Sequence, residues 1–324
     1  MGEMTYRQLG SSGLTVSVVG LGCNNFGWRI GLDEAREVLA AALDEGITLL
    51  DTADMYGGGG GSETMLGELL VGGRRDQVVL ATKFGLPVAA EPVGPDWLPR
   101  GSRRYVRQAV EASLRRLRTD WIDLYQYHQH DGVTPLEETI GAMAELVTEG
   151  KVRYIGSSNL AGWQVVEADF LARAAGGARF VSAQNDYSLL ERGAEQELVP
   201  ACLRSGVGIL PYFPLASGKL TGKVRRGQAH PPGTRLADRE VVVTDSEFDR
   251  IEALERLGAE RGLSLLDVAI GGLAAQPAVG SVIAGATSAA QVRANAAAGR
   301  WQPSADDLAA IDAAAPHRRP VTRF

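Results

Sequence analysis

Short apolar runs alternate with amphipathic stretches along most of the 324-residue chain. Within each run the apolar residues are largely consecutive, which is typical of parallel strands that are buried on both faces. The stretches between the runs carry apolar residues at helical spacing, as at Val106, Ala109, Val110, Leu114 and Leu117. The pattern predicts eight strands, at residues 18–21, 47–50, 78–82, 122–127, 152–156, 180–183, 207–210 and 279–284.

Helices, an opening hairpin and one long connection complete the pattern. Helices are predicted at residues 33–45, 63–70, 102–118, 135–149, 162–174, 195–205, 247–261, 264–275, 288–298 and 304–314. Residues 6–9 and 14–16 flank the turn cluster at residues 10–13, which predicts a small hairpin. Residues 214–245 form a Gly- and Pro-rich excursion, and its length predicts a functional loop.

Eight strands that alternate with helices predict a (β/α)8 TIM barrel, since a barrel is the simplest closure of such a sheet. A doubly wound open sheet is the competing architecture. Its dinucleotide fingerprint is incomplete here, because the glycine-rich segment at residues 20–25 has Asn25 where the third glycine belongs. No shift in composition divides the chain, so we expect one α/β barrel domain over residues 1–324, with extra C-terminal helices.

Composition and charge narrow the class of partner. Hydrophobic residues make up 45% of the chain and charged residues 22%, as in ordinary globular proteins. The net charge of -6, without a long Lys/Arg block, argues against binding to nucleic acid or an anionic membrane. Cys23 and Cys202 are far apart in apolar segments, which fits a reducing cytoplasm. Because no export signal or long apolar run is present, we expect neither export nor membrane insertion, and a small-molecule substrate. The oligomeric state stays open.

Polar residues stand at the ends of the predicted strands. They are Cys23, Asn24, Asp51, Lys83, His128, Ser158, Asn159, Gln184 and Tyr212, with Tyr56 just beyond Asp51. In a barrel the carboxyl ends of the strands converge on one face. A purely structural role explains such a set poorly, because the mouth of a barrel is otherwise filled with apolar side chains. The sequence therefore predicts an active site at this face.

Asp51, Lys83 and His128 end three neighbouring strands, so their side chains can meet. Asp51 would compensate the charge of Lys83. The glycines at 57–61 cannot extend a strand or helix, which places Tyr56 at the lip of a flexible loop. A nearby cation lowers the pKa of a phenol, so we predict Tyr56 as a general acid, with His128 hydrogen-bonded to the phenol or to a substrate oxygen.

Less specific interpretations of these residues exist. Lys83 could be a solvated cation on the rim, and His128 could be a core histidine. His128 and His130 share a strand face and could bind a metal ion, as in a metal-dependent barrel hydrolase. The other histidines, His230 and His317, lie in Pro-rich sequence, so ligands are scarce and no metal site is expected.

Several longer motifs contain the candidate residues. They are Asp51-Thr-Ala-Asp-Met-Tyr56-Gly57, Ala81-Thr-Lys83-Phe84, the segment DWIDLYQYH at 120–128, GKVRYIGSSN at 150–159 and PLASGKLTGK at 214–223. With them the chain resembles the aldo-keto reductases over nearly its whole length. The resemblance implies a (β/α)8 barrel that reduces an aldehyde or ketone with NADPH, and a catalytic tetrad of Asp51, Tyr56, Lys83 and His128.

The resemblance also implies where the cofactor binds. Ser158, Asn159 and Gln184 would hold the nicotinamide carboxamide, and Tyr212 would stack on its ring. The implied cofactor contacts are Gly22, Cys23, Asn24, Asp51, Ser158, Asn159, Gln184, Tyr212, Phe213, Pro214, Leu215, Ser217, Gly218, Lys223, Arg235, Gly285, Thr287, Ser288, Gln291 and Asn295. The group from Gly285 to Asn295 would face the adenosine and its 2'-phosphate at the start of a helix.

The sequence departs from the family pattern at three positions in or beside this set. Ala294 replaces a common glutamate, Gln291 stands where some members have arginine, and Cys23 replaces a threonine. The resemblance makes NADPH the expected cofactor, and these three departures leave NADH open as an alternative. The chain also resembles the β subunits of potassium channels, which makes a non-catalytic subunit that senses the cofactor the alternative function. For the substrate pocket, the loop aromatics Trp28, Trp97 and Phe213 predict partly apolar walls.

Overall fold

The computed structural model describes residues 3–88, 99–238 and 241–316. The strands are β1 (Tyr6–Gln8), β2 (Thr15–Ser17), β3 (Val19–Gly22), β4 (Leu49–Asp51), β5 (Val79–Phe84), β6 (Ile122–Tyr127), β7 (Val152–Ser158), β8 (Phe180–Gln184), β9 (Gly208–Ile209) and β10 (Val282–Gly285). The helices are α1 (Leu32–Asp44), α2 (Tyr56–Gly59), α3 (Gly61–Leu69), α4 (Arg103–Leu117), α5 (Leu136–Thr148), α6 (Gly162–Ala175), α7 (Leu198–Ser205), α8 (Arg235–Asp238), α9 (Asp245–Glu260), α10 (Leu265–Ala274), α11 (Ala289–Ala298) and α12 (Ala305–Ala314).

Strands β3 to β10 form one parallel sheet in the order β10-β3-β4-β5-β6-β7-β8-β9. Its two edges meet at Ile209, whose N–H donates to the Ala278 carbonyl over 2.7 Å and whose carbonyl accepts from the Gly280 N–H over 2.8 Å. These bonds join the sheet into a cylinder. Each of the eight predicted strands is present, so the (β/α)8 barrel is confirmed and the open sheet is wrong.

The predicted hairpin, β1 antiparallel to β2, is also confirmed. From this segment Leu9, Leu14 and Val16 are buried in one cluster with the barrel residues Leu49 and Ala81. The segment therefore contributes apolar side chains that close the end of the barrel where the strands begin. The opposite end, where the strands finish, is left for polar groups.

Side chains inside the barrel change from apolar to polar within one strand repeat. Leu49, Ala81 and Leu124 belong to the apolar cluster at the hairpin end. Because alternate residues of a strand face the same side, the next inward positions are two residues further on. There β4 carries Asp51 and β5 carries Lys83, followed on β6 by Gln126. The strand periodicity thus places a buried polar layer directly above an apolar one.

The glycine segment after Tyr56 differs from the prediction. Residues 56–59 form the single turn α2, and α3 already begins at Gly61. Gly57 and Gly58 have φ of +70° and +77°, and a Cβ on Gly57 would lie 2.7 Å from the Phe26 carbonyl oxygen. The glycines are therefore needed for a tight left-handed turn in close contact with the loop after β3. Only Gly61, the first residue of α3, extends a helix against the prediction.

The excursion after Pro214 contains a 3₁₀ turn at Ala216–Thr221 and the short helix α8. Ion pairs fasten it to α9: Lys219 lies 2.5 Å from Glu247, and Arg225 lies 2.7 Å from Glu255. The excursion thus forms a wall of its own above the barrel mouth. Within the described ranges no helix combines the length and apolar character needed to cross a membrane.

Candidate active site

A cavity of about 760 Å³ opens at the carboxyl ends of the barrel strands, between the barrel mouth and the excursion. The predicted residues that line it are Gly22, Asn24, Asp51, Tyr56, His128, Ser158, Asn159, Gln184, Tyr212, Phe213, Pro214, Leu215, Ser217, Gly218, Lys223, Arg235, Gly285, Thr287, Gln291 and Asn295. Lys83 lies beneath the wall with none of its side chain exposed. Residues from most of the barrel strands and from the excursion therefore face one common space.

Lys83 is held by three acceptors. Its Nζ donates to Asp51 Oδ2 over 2.6 Å, to the Thr52 carbonyl over 2.8 Å and to Tyr56 Oη over 3.4 Å. The ammonium also lies 4.9 Å from the centre of the Tyr56 ring. Lys83 is therefore no solvated rim cation, and that alternative is wrong. A fully buried ammonium of this kind requires the paired carboxylate that Asp51 supplies.

The second oxygen of Asp51 accepts from two side-chain amides. Gln126 Nε2 donates to Oδ1 over 3.1 Å and Gln184 Nε2 over 2.9 Å. Gln126 was missed from the sequence, although its position offered a signal: it is an amide at an inward position of a buried strand, two residues before His128. Gln184, predicted at the nicotinamide, also belongs to the hydrogen-bond network of Asp51.

Burial raises the pKa of the Tyr56 phenol above its usual value, although Lys83 acts in the opposite direction. The predicted lowering of this pKa is therefore wrong for the structure as described. The physical reason is that loss of hydration penalises the phenolate more than one ammonium at 3.4 Å compensates. Tyr56 thus keeps its proton at neutral pH, as a proton donor must.

Lys83 and His128 also have pKa values that differ from the usual ones. Burial alone would lower the pKa of Lys83, but Asp51 and Tyr56 raise it above its usual value, so the ammonium stays charged. Burial, and then the charge of Lys83, hold the pKa of His128 well below its usual range, so the imidazole is neutral. The rings of His128 and Tyr56 meet edge to face, with their centres 6.0 Å apart.

The residues predicted at the carboxamide are already partly hydrogen-bonded. Asn159 Nδ2 donates to the His128 carbonyl over 2.9 Å and to Ser158 Oγ over 3.2 Å, while Oδ1 accepts from the Tyr212 hydroxyl over 2.8 Å. Both amide protons of Asn159 are therefore used, and its remaining capacity is as an acceptor. Its φ of +56° is one that asparagine tolerates better than most residues.

Two predicted cofactor residues, Cys23 and Ser288, do not line the cavity. Cys23 is fully buried, and its Sγ lies 3.6 Å from the Leu21 carbonyl. Ser288 is the N-cap of α11, where its hydroxyl accepts from the Gln291 N–H. Neighbouring Gln291 folds back, with its Oε1 accepting from the Thr287 N–H over 2.8 Å. The side chains of Cys23 and Ser288 thus interact with nearby backbone groups and do not reach the cavity wall.

The predicted pocket aromatics have different positions. Phe213 lines the cavity, and the Arg235 guanidinium lies 5.4 Å above its ring. Trp28 is 56% exposed and is not part of the wall. Trp97, like His317, lies outside the described residues. Apolar wall residues that the sequence did not single out include Met55 and Leu86.

Arg29 joins the two sides of the cavity. It lines the cavity from the loop after β3, forms an ion pair with Asp238, and donates from Nη1 to the Gly233 carbonyl over 3.3 Å. Lys223 and Arg235 add positive charge on the side of the excursion. Among the described residues no group of three or more His, Cys, Asp or Glu side chains is arranged to hold a metal ion. The cavity instead combines cations, amides and apolar walls.

Behind Tyr56 lies a second buried acid, Asp54. It is fully buried, and neither carboxyl oxygen accepts a hydrogen bond from the described residues. Burial and the nearby Glu63 carboxylate raise its pKa well above the usual value, although Arg116 acts in the opposite direction. Glu63 is itself buried and paired with Arg116 over 2.7 Å. Burial and Glu63 therefore favour the protonated form of Asp54 in the folded protein.

We expect Asp54→Asn to be more stable than the wild type at pH 7, by a margin that disappears near pH 4. The Asp54 carboxyl keeps its proton in the folded protein but loses it in the unfolded chain above about pH 3.9. Above that pH the free energy of unfolding of the wild type therefore falls by about 1.4 kcal/mol per pH unit relative to the asparagine variant, which has no such carboxyl. Urea unfolding between pH 4 and 7 measures the difference, with exposed Asp33→Asn as the control. Equal pH dependence of Asp54→Asn and wild type would contradict the assignment of a protonated Asp54.

Comparisons with known proteins point to one family. The model of the aldo/keto reductase family matches residues 18–316. The chain is 39% identical to an uncharacterized oxidoreductase, YrpG, of Bacillus subtilis, over 90% of this chain and 89% of the relative. It is 36% identical to versiconal hemiacetal acetate reductase of Aspergillus parasiticus, over 82% and 84%. It is also 34% identical to a probable voltage-gated potassium channel subunit beta of Arabidopsis thaliana, over 90% of each chain.

The match of the family model covers the whole barrel, from the residue before β3 to the segment after α12. The chain belongs to the aldo/keto reductase family.

Proposed function

We propose that this protein reduces an aldehyde or ketone to the alcohol with NADPH, and that Tyr56 supplies the proton. The observation that carries the proposal is the Tyr56 phenol at the cavity wall, in contact with the buried Lys83–Asp51 ion pair. An acid in this position can protonate the oxygen of a carbonyl group that enters the cavity. No nucleophile is needed for such a reaction.

The proposed roles follow from the charges. Bound NADPH would supply the hydride. Tyr56 would donate its phenolic proton from Oη to the substrate oxygen, and the Lys83 ammonium at 3.4 Å would stabilise the phenolate that results. Neutral His128 would offer a hydrogen bond to the same oxygen, without adding a second positive charge beside Lys83. Asp51 would keep Lys83 in place and charged.

The cavity suits a dinucleotide in size and chemistry. Its volume of about 760 Å³ lies in the upper part of the range for ligand sites, more than a small carbonyl compound needs. Lys223 and Arg235 would bind the pyrophosphate. Near the barrel axis, acceptor capacity at Asn159 suits the NH₂ group of the carboxamide. Gly285, Thr287, Gln291 and Asn295 would contact the adenosine.

We expect NADH to support reduction as well, with a preference for NADPH below about a hundredfold in kcat/KM. The residues of the 285–295 segment that line the cavity include no cation, and a 2'-phosphate gains most from a charged partner. A screen of aldehydes and ketones with both cofactors, followed by absorbance of the reduced nicotinamide, measures the ratio. Gln291→Arg should raise it by about tenfold, whereas Gln291→Met should not raise it. An unchanged ratio in the arginine variant would remove Gln291 from the 2'-phosphate site.

A non-catalytic subunit that senses the cofactor is the second candidate, favoured by the similarity to potassium channel β subunits. The same screen separates the two functions. Binding of NADPH, seen as a change in its fluorescence, without oxidation by any carbonyl compound would favour the sensor. Turnover that depends on Tyr56 would favour the reductase.

A further inference from the structure

The amide of Gln126 joins three strands across the inside of the barrel. Its Nε2 donates to Asp51 Oδ1 over 3.1 Å, and its Oε1 accepts from Gln184 Nε2 over 3.2 Å. Gln184 Nε2 in turn donates to the same Asp51 oxygen over 2.9 Å. Gln126 itself is fully buried on β6 and does not line the cavity. It therefore contacts the proposed catalytic carboxylate from behind, without reaching a ligand.

The two oxygens of Asp51 have separate partners. Oδ2 accepts from Lys83 Nζ, and Oδ1 accepts from Gln126 and Gln184. Asp51 is only 3% exposed, so water contributes little to the stability of its charge. Hydrogen bonds to a buried carboxylate are charge-assisted and therefore among the strong ones. The two amides consequently decide how much of the carboxylate charge Lys83 alone must balance.

Lys83 is shared between Asp51 at 2.6 Å and Tyr56 at 3.4 Å. If Asp51 lost an amide donor, its carboxylate would attract the ammonium more strongly and be less screened from the phenol. Both changes disfavour the phenolate and raise the pKa of Tyr56. The strength of the acid at the cavity wall is therefore linked to an amide on the far side of Asp51.

We propose that Gln126 is a positioning residue that tunes Tyr56 as a proton donor through Asp51 and Lys83. Its bond to Gln184, which does line the cavity, connects that tuning to the wall where the nicotinamide would bind. The importance of this role for turnover rests on the proposed reductase function. The effect on the phenol does not, because it depends only on groups of this chain.

A single fluorine probe tests the effect without catalysis. With 3-fluorotyrosine at position 56, the ¹⁹F resonance of the protein without cofactor reports the pKa of that phenol alone. In Gln126→Met, which keeps the volume and removes the amide, the pKa should rise by about half a unit to one unit. Gln108→Met on α4 is the matched control and should leave the pKa unchanged. An unchanged pKa in folded Gln126→Met would overturn the proposal.

A second variant covers the case in which methionine does not fold. Gln126→Asn keeps an amide but is one methylene too short to reach Asp51 Oδ1 as glutamine does, and the same upward shift is expected. Thermal unfolding of each variant separates loss of fold from loss of tuning. If Gln126→Asn folds with the wild-type pKa, the proposal fails.

Kinetics separate failure of this inference from failure of the proposed function. In the reductase, Gln126→Met should lower kcat by about tenfold and move the alkaline limb of its pH profile upward by the shift seen in ¹⁹F. KM for the cofactor should change by less than about twofold, as expected for a residue outside the cavity. If the wild type reduces no carbonyl compound but Gln126→Met still shows the ¹⁹F pKa shift, the reductase function is refuted and the tuning role is kept. If the wild type reduces carbonyl compounds but Gln126→Met shows no pKa shift, the tuning role is refuted and the reductase function is kept.

Discussion

Tyr56→Phe is expected to lower kcat for carbonyl reduction by about a hundred- to ten-thousand-fold, the usual contribution of a positioned general acid. The substitution removes only the hydroxyl, which lies 3.4 Å from Lys83 Nζ and is the proposed proton donor. The ring remains against His128 and keeps the wall of the cavity. Steady-state rates with a reactive aromatic aldehyde, over a range of pH, measure the loss.

Binding of the cofactor should survive this substitution, because no predicted contact with the dinucleotide depends on the phenol proton. Fluorescence titration with NADPH should give a dissociation constant within about threefold of the wild type. Tyr6→Phe is the matched control, since the Tyr6 hydroxyl bonds to the Gly46 carbonyl, away from the cavity, and its loss should leave kcat unchanged. A Tyr56→Phe variant with more than a tenth of wild-type activity would show that another group donates the proton.

Lys83→Met should abolish most activity and also destabilise the fold, by about 3–5 kcal/mol. The reason is that Asp51 would remain buried, at 3% exposure, with amide donors but no compensating charge. Loss of the Lys83 cation beside the proposed proton donor lowers kcat, whereas the uncompensated Asp51 carboxylate lowers the free energy of unfolding. Urea unfolding and single-turnover reduction measure the two effects separately.

The double variant Asp51→Asn/Lys83→Met distinguishes the structural part from the catalytic part. Removal of both charges should restore most of the lost stability, since neither is left unpaired, but it should restore no activity. Lys151→Met is the control for loss of a surface ion pair: its Nζ lies 2.7 Å from Glu111, and the cost should be about 0–1 kcal/mol. Full stability in Lys83→Met alone would mean that Asp51 is not charged in the folded protein.

Family membership does not by itself choose between the two proposed functions, since a relative named as a reductase and one named as a probable potassium channel subunit beta both match most of the chain. The two proposed functions differ in what they require of the side chains at the cavity wall. A sensor needs the dinucleotide site, but it has no requirement for a buried ammonium between a carboxylate and a phenol. The two variants above therefore test function at the residues where the two hypotheses differ.

The sequence predicted the barrel and the strand ends because both follow from local pattern. Consecutive apolar residues and helical spacing repeat regularly, and each of the eight predicted strands is present in the structure. The order of the strands did more than locate elements. Since Asp51 and Lys83 end neighbouring strands, contact between their side chains was expected, and the structure shows it over 2.6 Å.

Other features depended on how strands far apart in sequence approach one another. Gln126 and Gln184 are 58 residues apart, and only the curvature of the closed barrel brings both to one carboxylate oxygen of Asp51. Cys23 and Ser288 were expected at the cofactor because of the resemblance to the aldo-keto reductases. Their side chains instead bond to nearby backbone groups, which a motif does not reveal.

The direction of the Tyr56 pKa illustrates the same limit. From the sequence, the nearby cation Lys83 is the evident influence, and it acts to lower this pKa. Burial, which raises it, is the sum of contacts from many segments and is absent from any single motif. The apolar pattern and the order of the strands thus determined which groups meet at the barrel mouth. Only the tertiary structure decided how far these groups are buried from water and how closely Lys83 approaches Asp51 and Tyr56, because burial and distance depend on the closed barrel.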